Sequence, residues 1–314
     1  MIEKTEGIVL RSRPFSRTSR MVTWLTPDFG RVTTVIKGAC RPKSFFLGQT
    51  DLGYRCELLF YRKEHAGAHI AREVFPLDCR EALRGNWRAS VAADYVCWLL
   101  SQVTEPMLAS AELYGLLDRT LAALSSAWEG PAPSGPREGP ASSGPREGPA
   151  PSGPERILVD FEFLLLDLLG VSPNFSYCRD CTLGPERRKS CRFLLADGRI
   201  GCIHALSIHR EPADTVALTT SLVDALRAAQ AAARERPFNR LTVEPLNRSA
   251  LQPSNPGEAA GTTAPPLSPR LAIGIRRFLG LFICHHLDVP MQPRAAAYAW
   301  LDWDRYGRQI IDNR

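Results

Sequence analysis

The chain has no apolar run of the ~18–20 residues that would span a bilayer. Its start, MIEKTEGIVLRSR, shows neither a signal-peptide core nor a small-residue cleavage site, so the expectation is a cytosolic protein that meets no membrane. Histidine is scarce, with six residues, and none belongs to an H-E-x-x-H pair. The deaminase signature, an H-x-E ahead of a P-C-x-x-C, is absent. His285 and His286 are adjacent, so on a helix they point about 100° apart and not toward one metal. No G-x-S-x-G nucleophile turn occurs. A phosphate loop is missing too: in KGACRPKS, Pro42 stands where glycine must precede the Lys-Ser, fixing φ and removing an N–H. These absences argue against a metal hydrolase, a deaminase, an esterase and a nucleotide hydrolase. The expectation is a protein that is not an enzyme.

What is present begins with charge. Residues 1–50 hold nine Lys and Arg against Glu3, Glu6 and Asp28, a net charge of +6. The whole chain also carries +6, so everything after residue 50 sums to zero. A basic excess confined to one end favours a polyanionic partner, the plainer reading being a solvated surface. The 44% hydrophobic content suffices for real cores, and 314 residues suggest about two domains.

The periodicity divides the chain. GIVLRSR, RMVTWLTP, RVTTVIKG, YRCELLFYRK and HIAREVFP read as five short strands. In the third, Val32, Thr34 and Ile36 share one face, opposite Arg31, Thr33, Val35 and Lys37. Five strands in so short a stretch, with cations on and between them, predict an OB-type barrel over 1–80, with an SH3-like barrel as the competitor. From Asn86 the spacing becomes helical: Trp87, Val91, Tyr95, Trp98 and Leu99 form a face. AELYGLLDRTLAALSSAW and ERILVDFEFLLLDLLG follow, the latter stopped by Gly170 and Pro173, with further helices near 219–235, 268–288 and 294–300. The predicted class is α+β: a barrel, then an all-α domain over 81–314 carrying a small zinc-knuckle-like insertion at 176–205. Between two helices a nonapeptide repeats three times from Glu129 to Glu155, as EGPAPSGPR, EGPASSGPR and EGPAPSGPE. It has no apolar face and cannot offset its ordering entropy, so 129–155 is expected to be a disordered loop and 245–269 a second flexible one.

Nine cysteines stay reduced in a cytosol, and a close pair then points to metal before disulfide. Cys178 and Cys181, in FSYCRDC, have knuckle spacing. A second pair is incomplete: Cys202 has Ala205, not cysteine, three residues on. The expected structural zinc site is therefore Cys178, Cys181 and Cys202, with Cys191 or His204 as fourth ligand; the bland alternative is a reduced pair without metal. Four closed ligands would leave no position for an activated water.

Three stretches resemble the family of the bacterial recombination mediator RecO. GIVLRSRPFSRTSRMVTWLTPDFGRVTTVIKGACRPKS has that family's strand, its T-x-x-x-G hairpin from Thr26 to Gly30, and its KGA-x-R-P-K-S segment from Lys37 to Ser44. FEFLLLDLLGVSPNFSYCRDC resembles the family's helix, LG-x-x-P corner and first cysteine pair. RFLGLFICHHLDVPMQPRA is similar to the C-terminal helix and HL-G-x-x-x-x-S-R corner, but has Asp288 for the glycine and Pro293 for the serine. The resemblance implies an OB domain, a helical domain and often a zinc module. It implies binding of single- and double-stranded DNA without sequence preference, strand annealing, contact with the tail of single-stranded DNA-binding protein, and work with RecR to load the recombinase RecA.

The residues themselves supply candidates. Phosphate contacts fall to Arg11, Arg13, Arg17, Arg20, Arg31, Lys37, Arg41 and Lys43, with KGACRPKS presenting three of them in one turn. Phe15, Phe45 and Phe46 are candidate stacking groups, while Trp24, in mid-strand, reads as core. Arg270, Arg276 and Arg277, beside Leu271, Leu279 and Leu281, could form the basic-rimmed apolar receptor for an acidic tail ending in an aromatic residue. Charge alone leaves open a zinc-bearing RNA-binding or ribosome-associated OB protein, and an adaptor for an acidic protein.

Overall fold

A computed structural model of the chain describes residues 1–63, 67–126, 153–176, 190–201, 215–236 and 268–301. It forms two compact units, one of Met1–Ser172 with Gly280–Arg314 and one of Pro173–Leu279.

In the first unit, β1 (Ile2–Pro14), β2 (Arg20–Thr26), β3 (Gly30–Ile36), β4 (Arg55–Tyr61) and β5 (His69–Asp78) close a barrel in the order β1-β2-β3-β5-β4. Only β3 and β5 pair in parallel. The alternation read from β3 is the one observed: Val32, Thr34 and Ile36 are buried, and Arg31, Thr33 and Val35 are half-exposed. Val9, Val22, Trp24, Val32, Ile36, Leu58, Phe60 and Val74 belong to the interior cluster. Trp24 is wholly buried, and its indole N–H donates to Thr34 Oγ1 at 2.9 Å, so its one polar group is satisfied. Truncating it to alanine would cost about 3–5 kcal/mol.

β1 breaks the simple alternation, because Ile8, Val9 and Leu10 are all buried. Val9 lies opposite Trp24 in the interior row, whereas Ile8 lies opposite Leu25 on the outer face. That outer face is a second core, shared with the helices: the Cys97 thiol of α2 (Trp87–Val103) reaches the Val9 carbonyl at 3.9 Å. Asn86 caps α2, its Oδ1 accepting from the N–H groups of Arg88 and Ala89. The buried face of α2 runs through Ala89, Ala92, Ala93, Tyr95, Val96, Leu99 and Leu100. Trp87 is not on it. As the first helical residue it stands exposed, with the Arg88 guanidinium over its ring.

A short α1 (Glu81–Gly85) precedes α2, and α3 (Ala111–Ser126) and α4 (Pro154–Leu168) follow. α4 opens on Pro154, the second-last residue of the tandem repeat; Gly153 caps it, and proline suits a first turn whose N–H groups lack partners. The rest of the repeat up to residue 152, and the predicted loop up to residue 267, lie outside the described residues. Gly170, in the left-handed region at φ 73°, ends the helix where the sequence puts its stop. α4 is buried along most of its length, Glu162 included. That carboxylate accepts from Arg294 Nε at 2.8 Å and from its terminal amino group at 2.7 Å, and from Tyr95 Oη at 2.9 Å. Arg294 belongs to α7 (Met291–Leu301), so one buried ion pair ties three helices together.

The barrel and these helices meet at a tight seam. Gly30 has φ 59°, and a Cβ there would collide with the Leu108 carbonyl oxygen, so only glycine fits. Next to it, Arg31 N–H donates to Glu105 O at 3.3 Å, and Met107 N–H donates to Arg31 O at 3.1 Å.

The second unit corrects the expectation of an all-α remainder. β6 (Ser190–Leu194), β7 (Arg199–Gly201) and β8 (Thr215–Thr219) form an antiparallel sheet in the order β7-β6-β8. Strands of three to five residues are too short to show a period, so composition hid them. Phe193 of β6 packs with Phe175 and with Phe278 of α6 (Pro269–Leu287), ring centroids 5.7 and 4.9 Å away. From α5 (Thr220–Glu235), Gln230 Nε2 donates to Pro173 O and an Arg227 terminal amino group donates to Phe175 O.

Candidate nucleic-acid interface

Seven of the eight cations named from sequence gather at one end of the barrel, and Arg31 does not. The register aligns Arg11 with Thr23, Arg13 with Met21, and Pro14 with Arg20, which pairs in turn with Ile36. Lys37 follows directly. Arg11 and Arg13 thus stand on the outer face near the end of β1, Arg20 begins β2 beside them, and Lys37 leaves β3 beside Arg20. The two loops at this end are joined, since Cys40 N–H donates to Thr18 O at 3.0 Å. The first, residues 15–19, carries Arg17. The second turns through Gly38, at φ 74°, and carries Arg41 and Lys43. Arg11, Arg13, Arg17, Lys37, Arg41 and Lys43 are all exposed.

None of these six makes an ion pair with a described carboxylate. Cations elsewhere on the barrel do: Lys4 with Glu57 at 2.9 Å, Arg55 with Glu6 and Arg62 with Glu3 at 3.8 Å. The charge on the β1–β4 side is therefore internally compensated, while that at the loop end is left for a partner. Large apolar side chains are exposed among the unpaired cations: Phe15 at 56%, Phe45 at 82% and Leu47 at 60%. Phe46, by contrast, packs on the barrel core. Unpaired cations interleaved with exposed rings suit a flexible polyanion with flat, stackable groups.

Two named cations have other work. Arg31 is half-buried, and its Nε donates to Thr104 O at 2.9 Å, across the seam between barrel and helices. Its guanidinium fastens the fold, away from the loop end. Arg20 Nε donates to Ser12 Oγ at 2.9 Å, leaving its terminal amino groups at the barrel mouth. Sequence reasoning could not separate these from their neighbours, because an arginine's partner lies across strands or some 70 residues away.

The other candidates are spread out. On α6, Arg270 and Arg277 are exposed and Arg276 is half-buried; Leu271 is half-buried, Leu279 is buried and Leu281 is exposed. Of the proposed metal ligands, Cys178, Cys181, Cys202 and His204 lie outside the described residues; Cys191 is half-buried on β6, opposite Leu218. Among the described residues no group of three His, Cys, Asp or Glu side chains is placed to hold a metal. Among them, too, no helix is long and apolar enough to cross a membrane.

A closed five-stranded barrel with a compensated flank and an uncompensated cationic rim, built onto helices, defines the class: a small-barrel protein with one basic end. Comparison with known proteins narrows this. Residues 1–74 match the family model for the N-terminal part of recombination protein O. The DNA repair protein RecO of Alkaliphilus metalliredigens is 27% identical over 229 residues, 73% of this chain and 82% of that protein. Those of Rhodopirellula baltica and Myxococcus xanthus are 28% and 25% identical, and cover 87% and 90% of this chain and 90% and 91% of their own lengths. The N-terminal part of the chain thus matches the recombination protein O family model, and most of its length is similar to proteins named DNA repair protein RecO.

Proposed function

We propose that this protein acts in DNA repair and recombination as a non-enzymatic mediator that grips DNA through its sugar–phosphate backbone at the loop end of an OB-type barrel. The observation that carries the reading is the cluster of six cations without carboxylate partners around exposed Phe15 and Phe45. Contacts to phosphate carry no sequence information, so binding is indifferent to base order and extends to duplex as well as single strands. Neutralising two strands at one rim lowers their mutual repulsion, which is the physical basis for annealing. Loading a recombinase on coated single strands, with RecR and the tail of single-stranded DNA-binding protein as partners, belongs to the same proposal. Arg270 and Arg277 on α6, with Arg276 beside them, are its candidate contacts for the acidic tail. Relatives named DNA repair protein RecO support the DNA reading over an RNA-binding or ribosome-associated one.

The test is annealing of complementary strands coated with single-stranded DNA-binding protein, with and without this chain. Acceleration by the wild-type protein, and its loss in Arg41→Glu/Lys43→Glu, is expected. No acceleration would overturn the mediator reading, and an unaffected double variant would move the site away from the rim. A structural zinc held by Cys178, Cys181, Cys202 and either Cys191 or His204 is proposed on chain spacing alone. Metal analysis of the pure protein should find one zinc per chain, lost in Cys178→Ser.

A further inference from the structure

A cavity of about 200 Å³ opens at the mouth of the barrel, within the cationic rim. It is smaller than the ~300–1,000 Å³ pockets that hold drug-sized ligands, and has room for no more than a single small ring system. Phe46 and Leu47 give it apolar wall; Arg20, Thr50 and Asp51 give it polar groups. Asp51 is exposed and pairs with no described cation, and Arg20 has one nitrogen committed to Ser12. An unpaired carboxylate amid unpaired cations is wrong for phosphate, which it repels. It is right for a donor carried by the same ligand.

We propose that this cavity accepts one unstacked base of a single strand whose phosphates lie on the rim, and that the Asp51 carboxylate accepts a hydrogen bond from the base's exocyclic amino group. The inference rests on the DNA-binding reading and deepens it. Phe46 supplies the wall against which the ring packs, and Phe45, outside, is placed for a neighbouring base. Adenine and cytosine carry an amino group on the edge that pairing would occupy, and thymine carries none there. A duplex cannot present that edge, so the cavity serves single strands only. Asp51 thereby lends a mild base preference to a grip that is otherwise blind to sequence.

The test is fluorescence anisotropy, comparing equal-length oligo(dA), oligo(dC), oligo(dT) and a strand of the same length with abasic sites at one fixed salt concentration, with each strand then titrated again over a series of salt concentrations. Because removing Asp51 also relieves repulsion of phosphate, the quantity to compare is the affinity ratio between strands. One hydrogen bond gives about a fivefold larger dA:dT or dC:dT ratio in the wild type than in Asp51→Ala. Asp51→Asn, which adds a donor for thymine's carbonyls, should lower the same ratio. Loss of bases should weaken wild-type binding by about tenfold or more. Ratios equal in all three proteins, or abasic strands bound as tightly as intact ones, would overturn the base pocket while leaving the phosphate grip standing. A salt-independent, uniformly weak interaction with every strand would instead remove the DNA-binding reading, and this inference with it. An Asp51→Ala protein that keeps the wild-type salt dependence on oligo(dT) is folded at the rim.

Discussion

Salt dependence is the sharpest quantitative consequence of the rim. Each phosphate neutralised on a single strand contributes about −0.7 to the slope of log affinity against log salt, and on duplex about −0.9. Six unpaired exposed cations, Arg11, Arg13, Arg17, Lys37, Arg41 and Lys43, therefore give a slope of about −4 on single strands and about −5 on duplex. Between 50 and 200 mM salt, a slope of about −4 is a loss of roughly 250-fold in affinity. Replacing Arg41 and Lys43 by glutamate removes two contacts and brings the single-strand slope to about −3, with further weakening from the new repulsion. Arg31→Gln is the internal control. Its guanidinium is bound to the Thr104 carbonyl across the seam, so its loss should lower stability yet leave the slope alone. The assay is an anisotropy titration of a labelled strand at several salt concentrations. A flat slope, a slope indifferent to the double reversal, or an Arg31→Gln change as large as that of the rim residues would refute the reasoning.

Three further outcomes concern the folded state. Arg294→Met strands a buried Glu162 carboxylate and should cost about 3–5 kcal/mol, lowering the melting temperature of a unit of this size by roughly 10 °C, whereas adding Glu162→Leu should recover most of it. An unchanged melting temperature for the single variant would contradict the structural role of the pair. Asp288, where the family pattern has glycine, sits after α6 at φ 50°, so Asp288→Gly should stabilise by up to about 1 kcal/mol and Asp288→Val should destabilise; thermal unfolding decides. His69 is buried beside Phe60 and accepts a hydrogen bond from Lys63 N–H; burial first, then Arg62 and Lys63, hold its pKa below the ordinary value. The unfolded chain then takes the proton first, so stability should fall as pH drops below ~6.5 toward the native value, and urea unfolding at pH 7.5 and 5.5 should show this step reduced in His69→Gln.

How far the sequence could be read follows from the range of each signal. β-Alternation and helical spacing are local, so the five strands, the buried Trp24 and the positions of α4 to α7 were open to view. So was the basic end, because a charge excess needs no partner to be counted. Pairings between distant residues carry no such mark. Nothing near Glu162 announces Arg294, 132 residues away, and nothing near Arg31 separates it from the free arginines around it. The β6–β8 sheet failed for another reason: three to five residues give a strand too little length to show two faces. Trp87 misled through its size, since a large ring at helical spacing suggests a core face, while the first turn of α2 stands in solvent. Asp288 was noticed as a departure from a pattern, and only the backbone shows that it keeps glycine's conformation.

The union of the β2–β3 turn with the helices has a mechanical meaning. With no clearance at Gly30 beneath Leu108, and with Arg31 moored to Thr104, that turn has no slack to absorb a tug. A force along β2 or β3 is therefore passed on to the end of α2 and to the segment that leads into α3. The first unit therefore answers a tug on that turn as one solid lever, with no give between barrel and helices.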